Sequence, residues 1–315
     1  MTSLLDGLAK SKPALWIEVS PPRGVVYESL LKRLAQLRGH VDAINLTDNA
    51  LAKVKMSALV FGSMIKTRLD VPVVINFSCR DRNLLALKAD LLGAAALGID
   101  AVVALTGDKI EPGVHDEART VRDVDAFGLL RVIRELNRGE TGEGKRSLKT
   151  LPNLVAGAVA NPNRQAIDRE FELLELKAKG GARFVITQPV FELDTARAFA
   201  KRARSCGIEV VMGVLPIKRE GMASYLKQNV KDLSEASHHL ERYAGKSEAQ
   251  VRQQSITENL ALMSELAGDV AGFNIMSGGG PSLAIELALE YSRLRRSWSY
   301  ESGEKSPGGG SGGGA

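Results

Sequence analysis

The sequence predicts an α/β chain folded as one (β/α)8 barrel of the TIM type. Short β-branched apolar runs alternate with longer stretches of helical period from end to end. The runs number eight, the count that closes a parallel barrel. The chain's 315 residues also accommodate one barrel of about 250 residues with excursions. Two competing architectures stay open on these grounds: two domains, by length, and a doubly wound open sheet, by alternation.

In chain order the strand-like runs are ALWIEVS from residue 14, DAINLTD from 42, VPVVINFS from 71 and DAVVALTGD from 100. NLVAGAVANP from 153, RFVITQP from 183, IEVVMGVLP from 208 and VAGFNIMSGGG from 270 follow. Between them lie apolar stripes at helical spacing, such as Leu84, Leu87 and Leu91, then Phe171, Leu174 and Ala178, then Ile256, Leu260 and Met263, each with a charged back. Strand followed by helix implies parallel pairing through right-handed crossovers. Residues 137–150, NRGETGEGKRSLKT, interrupt the rhythm as a polar, glycine-bearing surface loop. The reading divides the chain into a barrel over 1–297 and a tail over 298–315, Gly/Ser-rich from residue 302 and expected to be a flexible linker.

Composition narrows the class. With 44% hydrophobic and 25% charged residues, the chain has the make-up of a globular protein able to bury a large core. Cys79 and Cys206 stand far apart beside apolar runs, which suggests reduced thiols rather than a disulfide framework. No apolar run approaches bilayer length and the N-terminus lacks a signal-type apolar core, so the expectation is a cytoplasmic protein with no membrane span. The net charge of +5 is dispersed, which favours small acidic ligands and argues against nucleic acid.

The strand ends carry the chemistry. In a parallel barrel they converge on one mouth, where the active sites of this fold sit. Glu18, Asn45, Thr47 with Asp48, Asn76 with Ser78, Thr106 with Asp108, Asn161, Thr187 with Gln188, and Asn274 with Ser277 all occupy such ends. Any one of them is explained by the wetness of loops; polar residues at nearly every strand end together point to a site. Glu18 stands out because it lies within an apolar run, where an unpaired charge is costly. It either faces a cavity that uses it or is paired with Arg23 or another base. The four histidines, His40, His115, His238 and His239, lie outside the strand ends with no cysteine set beside them, so no metal site is expected. Cys79 has no histidine partner at another strand end and reads as a packed thiol or a cofactor neighbour. The SGGGP segment at 277–281 reads either as a phosphate-binding helix approach or as a tight turn.

The phrases IEVSPPRG, AINLTDNA, NFSCRDRN, LGAAALGIDAVVALTGD, AGAVANP, FVITQPVFE and GVLPIK, in this order and spacing, resemble the methylenetetrahydrofolate reductase family over about residues 14 to 295. The wording is similar to the reductase halves of bifunctional homocysteine methyltransferase/reductase proteins and to acetogen-type reductases. The resemblance implies a flavin enzyme of one-carbon metabolism and methionine biosynthesis, with FAD ahead of FMN. It would reduce 5,10-methylenetetrahydrofolate to 5-methyltetrahydrofolate by reversible hydride transfer. It puts the general acid on Glu18 and a flavin- and pterin-facing carboxylate on Asp108. Gln188 falls at the pterin-binding position, and Thr47, Asn76, Gly107, Glu170 and Lys177 fall at flavin contacts. Three departures from the family pattern stand out: Asn76 where many bacterial members have histidine, Thr106 where arginine is common, and no stacking phenylalanine after GVLP. Lys218 or Arg219 would replace the arginine that meets the folate glutamate. The resemblance leaves the electron donor as NAD(P)H or a partner protein, and it implies a homo-oligomer. The alternative function is a folate- or flavin-binding subunit that receives electrons from another protein.

Overall fold

In a computed structural model of the chain, residues 4–8, 12–111, 113, 115, 117–143, 148–229, 237–278 and 280–301 are described. Eight parallel strands form a closed barrel in sequential order. They are β1 (Ala14–Val19), β2 (Ala43–Leu46), β3 (Val73–Ser78), β4 (Ala101–Leu105), β5 (Ala156–Ala160), β6 (Phe184–Pro189), β7 (Glu209–Val214) and β8 (Gly272–Ile275). Each falls inside one of the eight runs read from the sequence. The open doubly wound sheet is excluded, because β1 pairs with both β2 and β8.

The helices are α1 (Leu4–Leu8), α2 (Glu28–Leu34), α3 (Ala58–Leu69), α4 (Leu84–Ala96), α5 (Ala126–Asn137) and α6 (Ile167–Gly180). They continue with α7 (Leu193–Ser205), α8 (Glu220–Asn229), α9 (Ser237–Glu241), α10 (Glu248–Glu265) and α11 (Ser282–Glu301). Several start where a short polar side chain takes up an orphan backbone donor. Asn83 accepts from the Ala86 N–H at 2.8 Å, Asp125 from the Gly128 N–H at 2.8 Å, and Ser247 forms a reciprocal capping box with Gln250. Of the polar loop read at 137–150, residues 144–147 lie outside the described set, as do Gly279 of SGGGP and the tail from 302. Asn137 anchors the far end of that loop by bonding both backbone groups of Leu154, at 2.9 and 2.8 Å.

Burial divides into two main layers. The larger cluster lies between strands and helices and includes Leu15, Ile17, Ile44, Phe61, Leu87, Leu174 and Phe273. The smaller one fills the barrel itself: Leu8, Trp16, Ala43, Val74, Val103, Phe184 and Val211. Trp16 meets Phe184 edge to face at 5.2 Å. A side chain at Gly157 would strike that Phe184 ring, which is why β5 carries glycine there. Truncating an interior aromatic of this kind costs about 3–5 kcal/mol. The interior below the mouth is thus solid, and the site is confined to the top.

Candidate active site

Side chains alternate along a strand, so a residue two positions beyond an inward-facing one also faces inward. Trp16, Ala43 and Val74 lie in the interior cluster. Glu18, Asn45 and Asn76 therefore form the next layer up, and Asn274 joins them from β8, whose Gly272 meets the start of β1. The register sets Glu18 beside Asn45. Apolar residues make the floor and polar ones the ceiling, and the change happens within one step of each strand.

Across that layer runs a chain of amides. Asn76 Nδ2 donates to Asn45 Oδ1, Asn45 Nδ2 to Asn274 Oδ1, and Asn274 Nδ2 to Glu18 Oε2, each at 3.3 Å. Asn45, Asn76 and Asn274 are all buried. The bonds run one way, with every donor pointing toward the carboxylate. Burial pushes the Glu18 carboxyl up to about 7, and the Asn274 bond pulls it partly back. Glu18 is therefore poised to hold and release a proton near neutral pH.

One wall comes from the loops after β2, β3 and β4. Gly107 has φ +87, and a Cβ there would lie 2.2 Å from Ser78 Oγ and 2.8 Å from Arg80 Cβ, so only glycine fits. Its neighbour Asp108 is exposed and takes the Leu51 N–H at 2.6 Å through Oδ2. That bond holds a strained segment, in which Asn49, Leu51 and Ala52 all have positive φ. Arg80 is 2% exposed; it donates to the carbonyls of Asp108 and Asn49 at 3.2 and 3.3 Å and pairs with Asp81. Arg82 clasps Asp48 and Asp90 and lies over the Phe77 ring at 4.6 Å. Asp48 is thereby committed to structure, also accepting from the Ser78 N–H. Sequence reasoning singled out neither arginine; the only signal was their place in NFSCRDRN. Cys79 is buried, with its thiol pushed up to about 11 by that burial, and its Sγ donates to the Asp125 carbonyl. It is a packed thiol.

The opposite wall is β6. Between Ile186 and Pro189 its register against β7 shifts. Thr187 Oγ1 fills the irregularity by accepting from the Gly213 N–H at 2.8 Å, and a Cβ on Gly213 would hit the Thr187 carbonyl at 2.4 Å. Thr187 is thereby buried while Gln188 is turned out into the mouth. From α6, Lys177 donates to the Val159 carbonyl at 2.8 Å, and burial lowers its pKa.

Glu18, Thr47, Asn76, Gly107, Asp108, Lys177 and Gln188 all line one cavity of about 450 Å³ at the mouth. Thr47 bonds Ser20 at the end of β1, Oγ1 to Oγ, at 2.8 Å. Glu170 and Lys218 are not among its lining residues. Glu170 is buried behind Lys177, bonded to Arg164, Lys177 and the Asn161 N–H. Lys218 donates to the Gly280 carbonyl at 2.6 Å, beside Arg33, Arg219 and Arg252. The cavity fits a flat heteroaromatic group: Leu105, Phe127, Leu173 and Ile186 supply apolar walls, the backbone at Gly107 permits close approach, and a few polar groups converge. Among the described residues no helix is long and apolar enough to cross a membrane.

A closed parallel barrel with a titratable carboxyl at the floor of a mouth pocket has the arrangement of a barrel enzyme. Residues 3–273 match the methylenetetrahydrofolate reductase family, and the chain belongs to it. It is 30% identical over 171 residues to a probable methylenetetrahydrofolate reductase (NADPH) of Caenorhabditis elegans, covering 52% of this chain and 23% of that protein. Among solved structures it resembles an uncharacterised Clostridium thermocellum protein that binds two copies of 5-methyl-5,6,7,8-tetrahydrofolic acid, with TM-score 0.58, 14% identity and 92% and 99% of the two chains covered. A mutant tryptophan synthase α-subunit from Pyrococcus furiosus gives TM-score 0.50 at 13% identity, covering 90% and 98%. At such identities the two structures speak for the barrel fold.

Proposed function

We propose that this chain catalyses reversible hydride transfer between a flavin, FAD rather than FMN, and the one-carbon unit of tetrahydrofolate, reducing 5,10-methylenetetrahydrofolate to 5-methyltetrahydrofolate. The single observation that carries the reading is Glu18: a carboxyl poised at about 7, in the floor of the mouth cavity, bonded through Asn274 to the amide chain. Family membership and the folate bound by the Clostridium thermocellum protein support the substrate.

A bound flavin supplies the hydride. Thr47, Asn76, Gly107, Asp108 and Lys177 would hold it against the β2–β6 side of the mouth. Glu170 acts from behind by fixing the Lys177 ammonium. Glu18, protonated, gives its proton to the nitrogen that leaves the one-carbon unit as the folate ring opens, and takes it back in the reverse direction. The opened folate is cationic, and the Asp108 carboxylate stabilises it electrostatically. Gln188, turned outward by the β6 irregularity, offers an amide that both donates and accepts to the pterin. Lys218 meets the anionic tail of folate from the β7 side. We place the catalytic unit in residues 1–297 and read the protein as a cytoplasmic homo-oligomer serving methionine biosynthesis, with NAD(P)H as donor.

A second reading, a subunit fed electrons by a partner protein, is favoured by one surface feature. Val25, Val26, Leu51 and Val54 are exposed on the loops after β1 and β2, which the Met56 N–H ties together through the Pro22 carbonyl at 2.7 Å. Anaerobic stopped-flow mixing of the oxidised protein with 5-methyltetrahydrofolate tests the primary reading. Bleaching of the flavin band at about 450 nm is expected. A bound flavin that stays oxidised would sink it. Adding NADH or NADPH to the protein alone then separates the two readings, since turnover without a partner rules out the second.

A further inference from the structure

Away from the mouth cavity, two imidazoles and a carboxylate converge. Glu192 lies on the turn between β6 and α7, and His238 and His239 lie on the short helix α9. His238 Nε2 is 2.6 Å and His239 Nε2 2.5 Å from the same oxygen, Glu192 Oε1. The rings stand 4.4 Å apart, centre to centre, tilted by 44°. Glu192 Oε1 and His239 Nε2 are buried atoms, yet neither completes a hydrogen bond. Both rings crowd one carboxylate oxygen at hydrogen-bonding distance. Buried polar groups are rarely left so, and each such group calls for a physical explanation.

A cation among them resolves the mismatch. Neutral imidazole nitrogen and carboxylate oxygen are donors for borderline divalent metals, and two histidines with one glutamate leave a position for water. The His239 side chain is largely buried, and its Nε2 faces the Glu192 carboxylate. The His238 side chain is 59% exposed, which leaves an entry path from solvent. Arg242, a cation facing His239, lies 3.7 Å from Glu258, and Glu258 also accepts from the Tyr243 hydroxyl. At ordinary metal–ligand lengths of about 2.0–2.1 Å, the three donor atoms of a tetrahedral site must stand farther apart than they do here. Rotation of the exposed His238 side chain and of the partly exposed Glu192 carboxylate would supply that room.

We propose that Glu192, His238 and His239 form a binding site for a divalent transition metal of the zinc class, clipping α9 to the turn that follows β6. The site is separate from the reductase reading and does not depend on it. Glu192 follows β6, the strand that carries Gln188, but none of the three donors lines the mouth cavity. The sequence expectation of no metal site rests on histidines that lie outside the strand ends with no cysteine set beside them, and does not weigh a carboxylate from another crossover. The carboxylate comes from the neighbouring crossover, set beside the histidines by the pairing of β6 with β7.

The test is titration of the untagged, chelator-treated full chain with Co2+, read by its visible d–d absorption. One equivalent should bind with the intense band of a four-coordinate ion, and one equivalent of Zn2+ should displace it. Affinity should fall roughly tenfold or more in Glu192→Gln and in His239→Ala. Near-UV circular dichroism shows whether each variant is folded, and His238→Ala at the exposed position provides a third variant should either fail. Absence of saturable Co2+ binding, or equal binding in folded variants, overturns the proposal. Because the readout is metal absorption, it stands or falls apart from the folate half-reaction.

Discussion

Asn274 on β8 donates from Nδ2 to Oε2 of Glu18 on β1 at 3.3 Å, across the seam where the barrel closes. The bond favours the ionised carboxylate, whereas burial favours the neutral acid, and burial wins. Asn274→Ala removes the opposing influence, so the Glu18 carboxyl should titrate higher still. The pH dependence of flavin reduction by 5-methyltetrahydrofolate checks this. Its Glu18 limb should move to higher pH, by about half a unit to one unit; an unmoved limb would show that another group controls the rate.

Glu18 also makes a stability statement. Its folded value, about 7, lies above the ordinary 4.5, so the native state holds a proton that the unfolded chain has lost between these values. Stability therefore falls as pH rises from about 4.5 to about 7 and is level on this account above that. Glu18→Gln keeps the acceptor for Asn274 and removes the ionisation. The variant should match the parent near pH 4.5 and exceed it at pH 8, by about 3 kcal/mol at most. Denaturant melts at the two pH values measure the gap, and folate reduction should be abolished while flavin is retained.

Gly107→Ala joins two penalties, a positive φ and a clash with Ser78 and Arg80. A cost of about 1–3 kcal/mol follows from the strained backbone alone. If Gly107 lets the flavin approach the backbone, flavin affinity should fall more steeply than stability. Thermal melts of the apoprotein and flavin-release titrations separate the two losses; a variant that binds flavin normally would move the cofactor off this loop.

Arg80 joins the loops after β2 and β4 through the Asn49 and Asp108 carbonyls. Arg80→Lys keeps the charge but cannot span both carbonyls while paired with Asp81, because an ammonium lacks the fork of a guanidinium. A loss of about 1–3 kcal/mol is expected in denaturant unfolding. Hydrogen exchange should rise at the Leu51 amide, which Asp108 holds. Unchanged exchange there would mean that Asp108 needs no help from Arg80.

The amino-acid order by itself determined the succession of elements and the polarity of the strand ends, because both are local. A β-branched run and an apolar stripe are written in adjacent residues, and all eight strands lie where such runs were read. Glu18 was legible for the same reason, as a charge misplaced in an apolar run. What each polar end does was decided only by closure and register. Asn45, Asn76 and Asn274 are scattered along the chain; strand register sets Asn45 beside Glu18, and the pairing of β1 with β8 brings in Asn274 to complete the chain of amides. The fold committed Asp48 and Thr187 to holding loops and strands, set Glu170 behind Lys177, and placed Lys218 against the Gly280 carbonyl. It recruited Arg80, a residue with no periodic signature, as the tie between two walls. Glu192 met His238 and His239 for the same reason: a side chain's partners are set by three-dimensional packing, and sequence spacing carries no record of that distance.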